Sequence, residues 1–184
     1  MRPPPPFIVD PDVIAGCIEG HRASMEAMYR ACLPALWPIA MRYARDEADA
    51  RDIFNTAMLK IFRALPQFQG DNLSGWMRTI LIHTGIDAIR SRNRQVFTEE
   101  MTPEVEKRLP ETLIEDQFAE EDIMRALQGL PEPFRIVLLL YAIEGYSHAE
   151  IAEQLGITPN NSRWRLNQAR QQMKTLLLNL AIVL

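Results

Sequence analysis

With 184 residues the chain can fold as one medium domain or two small ones, and a hydrophobic share of 47% supplies a core and argues against wholesale disorder. The net charge of −4 hides its distribution: residues 97–122 hold ten Asp and Glu against two Lys and Arg, between the mildly basic blocks 16–96 and 123–184. Local field, not net charge, decides which surface can meet phosphate, so a nucleic-acid partner is not excluded.

In chain order, the start Met1-Arg2-Pro3-Pro4-Pro5-Pro6 lacks the apolar stretch of a signal peptide. The longest apolar run, Ile136 to Ile143, is far shorter than the roughly 20 residues a membrane span needs. A cytoplasmic location is expected. Cys17 and Cys32 have no Cys or His at metal-ligand spacing and read as small apolar residues in a reducing compartment.

Few glycines and no sustained alternation of apolar and polar residues favour helix throughout. A first helix is predicted from about Asp12 to Leu33, with Ile14, Ile18, Met25, Met28 and Tyr29 on its apolar side. Pro34 is expected to interrupt it, and a second segment continues through Trp37 and Met41 to Ala44. A third helix covers Glu47 to Leu65, and the polar run Gln67 to Asn72 forms a loop. Ser74 starts a fourth through Trp76, Ile80, Thr84, Asp87 and Arg90, ending in the basic Arg90-Ser91-Arg92-Asn93-Arg94. The stretch Thr98 to Asp116, with Pro103 and Pro110, reads as an acidic linker, its alternative being a solvated helix face.

Beyond it, Glu121 to Gln128 is a helix and Leu130-Pro131-Glu132-Pro133 a turn. Phe134 to Glu144 is apolar on most faces and belongs in the centre of a small bundle, with Gly145 as its cap. Ser147 and Glu150 form a capping box for the next helix, which Gly156 closes. Thr158 caps the last helix and Pro159 takes its first position.

Two helices joined by the turn Gly156 to Pro159 have the layout of a helix-turn-helix, whose second helix enters the major groove. There Arg163, Asn167, Arg170 and Lys174 share one stripe, and Ser162, Leu166, Ala169 and Met173 form a neighbouring, inward one. Arg and Asn suit paired hydrogen bonds to base edges, and Lys suits phosphate. Arg163, Asn167 and Gln168 are expected at base edges, Arg165 and Arg170 on phosphates, and the Trp164 ring on sugar or a thymine methyl. An ordinary amphipathic helix with a polar face is the bland alternative.

The runs Leu130 to Arg135, Tyr141 to Ser147, Glu150-Ile151-Ala152 and Leu155-Gly156-Ile157 together resemble region four of extracytoplasmic-function sigma factors. The resemblance implies that the final helix recognises the upstream promoter element. Trp164 stands where the family has a small residue and Gln168 where it commonly has Arg, so the sequence preference is not predicted.

The N-terminal block carries a second resemblance. Asp49-Ala50-Arg51-Asp52-Ile53-Phe54-Asn55 to Phe62-Arg63 is similar to the region two helix that docks on the polymerase clamp. It implies a core-binding surface of Asp49, Asp52, Asn55, Thr56 and Leu59, although Asn55-Thr56 replaces the usual Gln-Glu. Phe68-Gln69-Gly70-Asp71, Trp76-Met77-Arg78 and Asp87-Ala88-Ile89-Arg90 resemble the promoter-melting part. An unpaired strand needs aromatic stacking in a basic groove and a pocket for a flipped base. Phe68 and His83 take the pocket positions, with His83 in place of the usual Asn. Trp76 reads as core ahead of stacking platform, and Arg78, Arg90, Arg92 and Arg94 are the phosphate candidates.

His21, His83 and His148 have no nucleophile or ligand partner at a recognisable spacing and no phosphate loop is present, so no enzyme, metal or cofactor is expected. The commitment is all-α: a region two domain at 12–96, an acidic linker at 97–120 and a helix-turn-helix domain at 121–184. The expected partners are RNA polymerase core, double-stranded and melted promoter DNA, and an anti-sigma factor. A stand-alone helix-turn-helix regulator is the runner-up; a helical adaptor that binds protein alone is a third reading. The apolar tail Leu176 to Leu184 is expected to pack on the C-terminal bundle, with a partner surface as its alternative.

Overall fold

The computed structural model describes residues 7–94 and 118–182, with side chains to residue 179. Met1 to Pro6 and the predicted linker up to residue 117 lie outside the described residues. Among those described, every regular element is helical. Contacts divide the chain into two compact units, Arg2–Ala88 and Ile89–Leu184, so the division falls inside one helix. No described helix is long and apolar enough to cross a membrane.

In the first unit, α1 (Pro11–Ile18) starts where the Asp10 carboxylate accepts from the Asp12 N–H at 2.8 Å, with Pro11 at its first position. α2 (Arg22–Tyr43) is one continuous helix. The expected break at Pro34 does not occur: both Pro34 and Pro38 lie inside α2, and both are exposed. The backbone carbonyls that lose their N–H partners thus belong to a face that water can reach. The true break comes earlier, at Gly20, whose φ of 82° ends the short α1. Ile18, expected on the apolar side, is 48% exposed as a result.

α3 (Glu47–Ala64) is capped by Asp46, which accepts from the Asp49 N–H at 2.8 Å, and carries acids in its first turn. A short 3-10 turn, Leu65–Gln67, leads to the loop before α4 (Leu73–Arg92). The Asn72 carboxamide oxygen accepts from the Gly75 N–H at 2.9 Å at the start of α4. The core is built from Met28, Leu36, Ile39 and Tyr43 of α2, Ile53, Phe54, Met58 and Ile61 of α3, and Met77, Leu81 and Ile86 of α4. Tyr29 meets Phe54 edge-on at 5.1 Å. Cys17 and Cys32 are buried free thiols, and burial pushes Cys32 up to about 12, so it stays protonated at neutral pH.

The second unit contains α5 (Glu120–Gln128), α6 (Glu132–Ala142), α7 (His148–Leu155) and α8 (Pro159–Ile182). α6 is the central helix: Ile136, Val137, Leu139 and Leu140 have no exposed surface. Each such side chain is worth about 1.5–3 kcal/mol. α5, α6 and α7 all pack on α8. Leu177 keeps the tail of α8 on this bundle, while Leu178 is 51% exposed.

Candidate nucleic-acid interface

The interface is assembled by local signals that fix where α7 and α8 start and stop. The Ser147 side chain accepts from the Glu150 N–H, and the Glu150 carboxylate accepts from the Ser147 N–H at 2.8 Å. The Ser147 hydroxyl, which donates to the same carboxylate at 2.7 Å, and then the Ser147 N–H hold the Glu150 carboxyl below its ordinary value. Gly156 closes α7 in the left-handed conformation, φ 67°. Thr158 Oγ1 then accepts from the Asn161 N–H at 3.1 Å, and α8 opens on Pro159.

With its start fixed, the face that α8 buries is set by the 3.6-residue repeat. Ile151, Ala152 and Leu155 of α7 are buried, as are Ser162, Leu166, Ala169 and Met173 of α8. On the other side Arg163, Arg170 and Lys174 are exposed, and Asn167 and Gln168 are half-buried. Arg163 Nη1 donates to Asn160 Oδ1 at 2.8 Å. The predicted outward stripe is therefore present, over the predicted inward one.

One expectation for α8 needs correction. Arg165 has no exposed surface, and its Nε donates to Asn161 Oδ1 at 2.6 Å. Burial lowers its pKa, and a guanidinium held this way inside the bundle does not meet phosphate. Trp164 is half-buried and its ring lies against Phe134 at 5.6 Å, edge to face, so part of its surface is spent on α6.

Sequence reasoning also missed a contact node at the head of α7. His148 Nδ1 lies 2.9 Å from Ser162 Oγ. The His148 ring stacks on Tyr141 with centroids 4.6 Å apart and planes at 21°. The Arg170 guanidinium lies over the same tyrosine, 5.8 Å from its centroid. Burial, then the positive charges of Arg163 and Arg170, hold the imidazole pKa below its ordinary value. The signal available in the sequence was position: the first helical residue after the Ser147 cap stands beside the turn into α8.

In the first unit, Phe68 and Trp76 meet at 4.9 Å with planes at 41°. A side-chain carbon on Gly70 would lie 3.3 Å from the Phe68 ring, so the loop folds closely over it. Trp76 is half-buried, intermediate between the two readings of it. His83 is exposed, two helical turns along α4 from Trp76 and so on the same side. Arg78 is half-buried in α4, and Arg90 and Arg94 are exposed at its end. Arg92, expected on phosphate, is half-buried and donates from Nη2 to the Glu132 carboxylate at 2.6 Å, so its guanidinium is already engaged.

On α3, Asp52, Asn55, Thr56 and Leu59 are exposed, Leu59 to 57%. Asn55 Oδ1 accepts from the Tyr29 hydroxyl at 2.9 Å, which orients its amide. Asp49 is different: its carboxylate accepts from the Arg45 N–H at 2.9 Å and is mostly covered, so it serves the corner between α2 and α3.

Comparison with known proteins agrees with this arrangement. Residues 28–95 match the description "Sigma-70 region 2" and residues 120–173 match "Sigma-70, region 4", together well over half of the chain. The chain belongs to the sigma-70 family, in its extracytoplasmic-function class. The ECF RNA polymerase sigma factor SigE of Mycolicibacterium smegmatis is 29% identical over 167 residues, covering 86% of this chain and 64% of SigE. SigM of Mycobacterium tuberculosis is 26% identical over 171 residues, 91% of this chain and 84% of SigM. SigL of Mycobacterium tuberculosis is 29% identical over 182 residues, 92% of this chain and 97% of SigL.

Proposed function

We propose that this sigma factor binds RNA polymerase core and directs it to promoters, with α3 of region two on the polymerase and α8 of region four on the upstream element. The observation that carries the DNA half is the outward stripe of exposed Arg163, Arg170 and Lys174 with half-buried Asn167, on a helix locked in register by its caps and its buried face. A stripe so fixed can bring Arg and Asn side chains to neighbouring base pairs. In this reading Arg163, Asn167 and Gln168 serve base edges, and Arg170 and Lys174 serve phosphates. The pair Phe68 and Trp76, with His83, receives the melted strand, Arg78 serves its phosphates, and Arg90 and Arg94 are the further phosphate candidates.

Polymerase docking falls to Asp52, Asn55, Thr56 and Leu59, polar groups around one exposed leucine. The names of the relatives refer to RNA polymerase, and an anti-sigma factor is the further partner expected of this class. The division of labour follows the chain order, 12–96 for core binding and melting and 121–184 for the upstream element. Transcription by polymerase core from a genomic library tests the whole reading. The chain should restrict initiation to a defined set of sites, and Asp52→Arg should abolish co-purification with core at unchanged helix content. Promoter-specific binding by the chain without core, and undiminished co-purification of the variant, would favour the stand-alone regulator instead.

A further inference from the structure

Four groups from three helices meet at the edge of the proposed DNA-reading face: Tyr141 of α6, His148 at the head of α7, and Ser162 and Arg170 of α8. His148 is the hub. It bonds to Ser162 one turn into α8, and it stacks on the tyrosine that carries Arg170. We propose that His148 is a positioning residue of the DNA-reading helix and that its proton is linked to DNA binding, so that promoter affinity rises as pH falls. The inference rests on the reading of α8 as the DNA-contacting helix.

The groups that bear on His148 can be named from each element around it. α6 contributes the Tyr141 ring, and α8 contributes the Ser162 hydroxyl with the cations Arg163 and Arg170. On α7 itself Glu150 is turned to Ser147. In the free protein, therefore, burial first and the positive charges of Arg163 and Arg170 second favour the neutral form of the imidazole. The neutral ring can accept the Ser162 hydroxyl proton at Nδ1. A protonated ring would donate there instead, so the 2.9 Å contact survives protonation while the charge changes. A phosphate arriving at Arg170 offsets its positive charge, and the backbone phosphates beside the groove that Arg163 enters add a negative field of their own. Bound DNA thereby favours the imidazolium, and by linkage the complex takes up a proton. Phosphodiesters do not titrate in the range where histidine does, so the imidazole is the responding group of this cluster.

The test uses holoenzyme formed with the full chain, and a promoter fragment recovered by transcription from the genomic library. Affinity is measured at fixed salt from about pH 8 to about pH 6, the range in which histidine titrates. Wild type should bind several-fold more tightly at the acid end, with about tenfold as the ceiling for each unit by which DNA raises the histidine pKa. His148→Gln keeps a polar side chain without a titrating ring; His148→Phe keeps a ring on Tyr141 without the bond to Ser162. Both should lose the part of the pH slope that wild type owes to this ring. Two variants guard against one that binds poorly for structural reasons, since the slope and not the affinity is the readout. A wild-type slope of zero, or one retained in both variants, overturns the linkage while promoter recognition itself stands. Failure of wild-type holoenzyme to recognise any promoter removes the underlying reading instead.

Discussion

Arg165 and Arg170 are five residues apart on one helix and have opposite environments, which separates two roles that a cation on a DNA-reading helix can have. Arg165 has no exposed surface and holds Asn161; Arg170 is exposed and rests on Tyr141. Truncating Arg165 removes a charge-assisted bond inside the bundle, so Arg165→Ala should lower stability by about 1–3 kcal/mol in thermal or denaturant unfolding. Arg170→Ala should stay within about 0.5 kcal/mol of wild type, yet weaken holoenzyme binding to all promoter sequences and lower the salt slope by about one. An Arg165→Ala protein that melts like wild type but loses salt dependence would reverse the assignment. The spacing already held this distinction: Arg165 lies three residues from Ser162 and four from Ala169, both on the inward stripe. Reading residue type ahead of position put a buried arginine on phosphate. For His148 the sequence offered its place beside the turn into α8 but not its stack on Tyr141, which depends on how α6 lies against α7 and is encoded by no local pattern.

At the scale of elements, local chemistry was legible and proline was not. The Ser147 and Glu150 box, the Gly156 terminus and the Thr158 cap are all short-range signals, and each appears where the sequence put it. Pro34 acts through a missing N–H, and its effect depends on whether the orphaned carbonyl faces water or core, which is a tertiary fact. The closeness of α4 to α2 was likewise hidden. A side-chain carbon built on Gly85 would stand 2.7 Å from Cβ and Cγ of Tyr43. Tyr43 is wholly buried, and those atoms are the root of the ring and not a flexible end. Gly85→Ala should therefore force α4 away from α2 and cost about 1–3 kcal/mol, despite the better helix propensity of alanine. Chemical denaturation measures this. A stabilised variant would show that the two helices can separate without loss.

At the scale of the whole molecule, the two groups with lowered acid-range pKa values among the described residues, His148 and Glu150, both lie in the helix-turn-helix unit, which should make that unit acid-sensitive in the free protein. The signs follow from which form the fold favours. His148 is pushed down from 6.5, so the neutral ring is favoured, and its stabilising share is complete above 6.5 and lost as pH falls through the lowered value. Glu150 is pushed down from 4.5 by its bonds to Ser147, so its share is present above 4.5 and lost further into acid. Trp164, against Phe134, reports on this unit, while Trp37 and Trp76 report on the first. With Trp37 and Trp76 replaced by Phe, denaturation followed by Trp164 fluorescence should show a midpoint that falls as pH drops below 6.5 and falls again below 4.5. His148→Gln should remove the first decline and leave the second. A midpoint flat from neutral pH to 4.5 in wild type would contradict the direction given to His148. If the proposed linkage holds, the same proton acts with opposite sign in the two states, weakening the free unit and strengthening its hold on DNA, because phosphate would reverse the field that the ring feels.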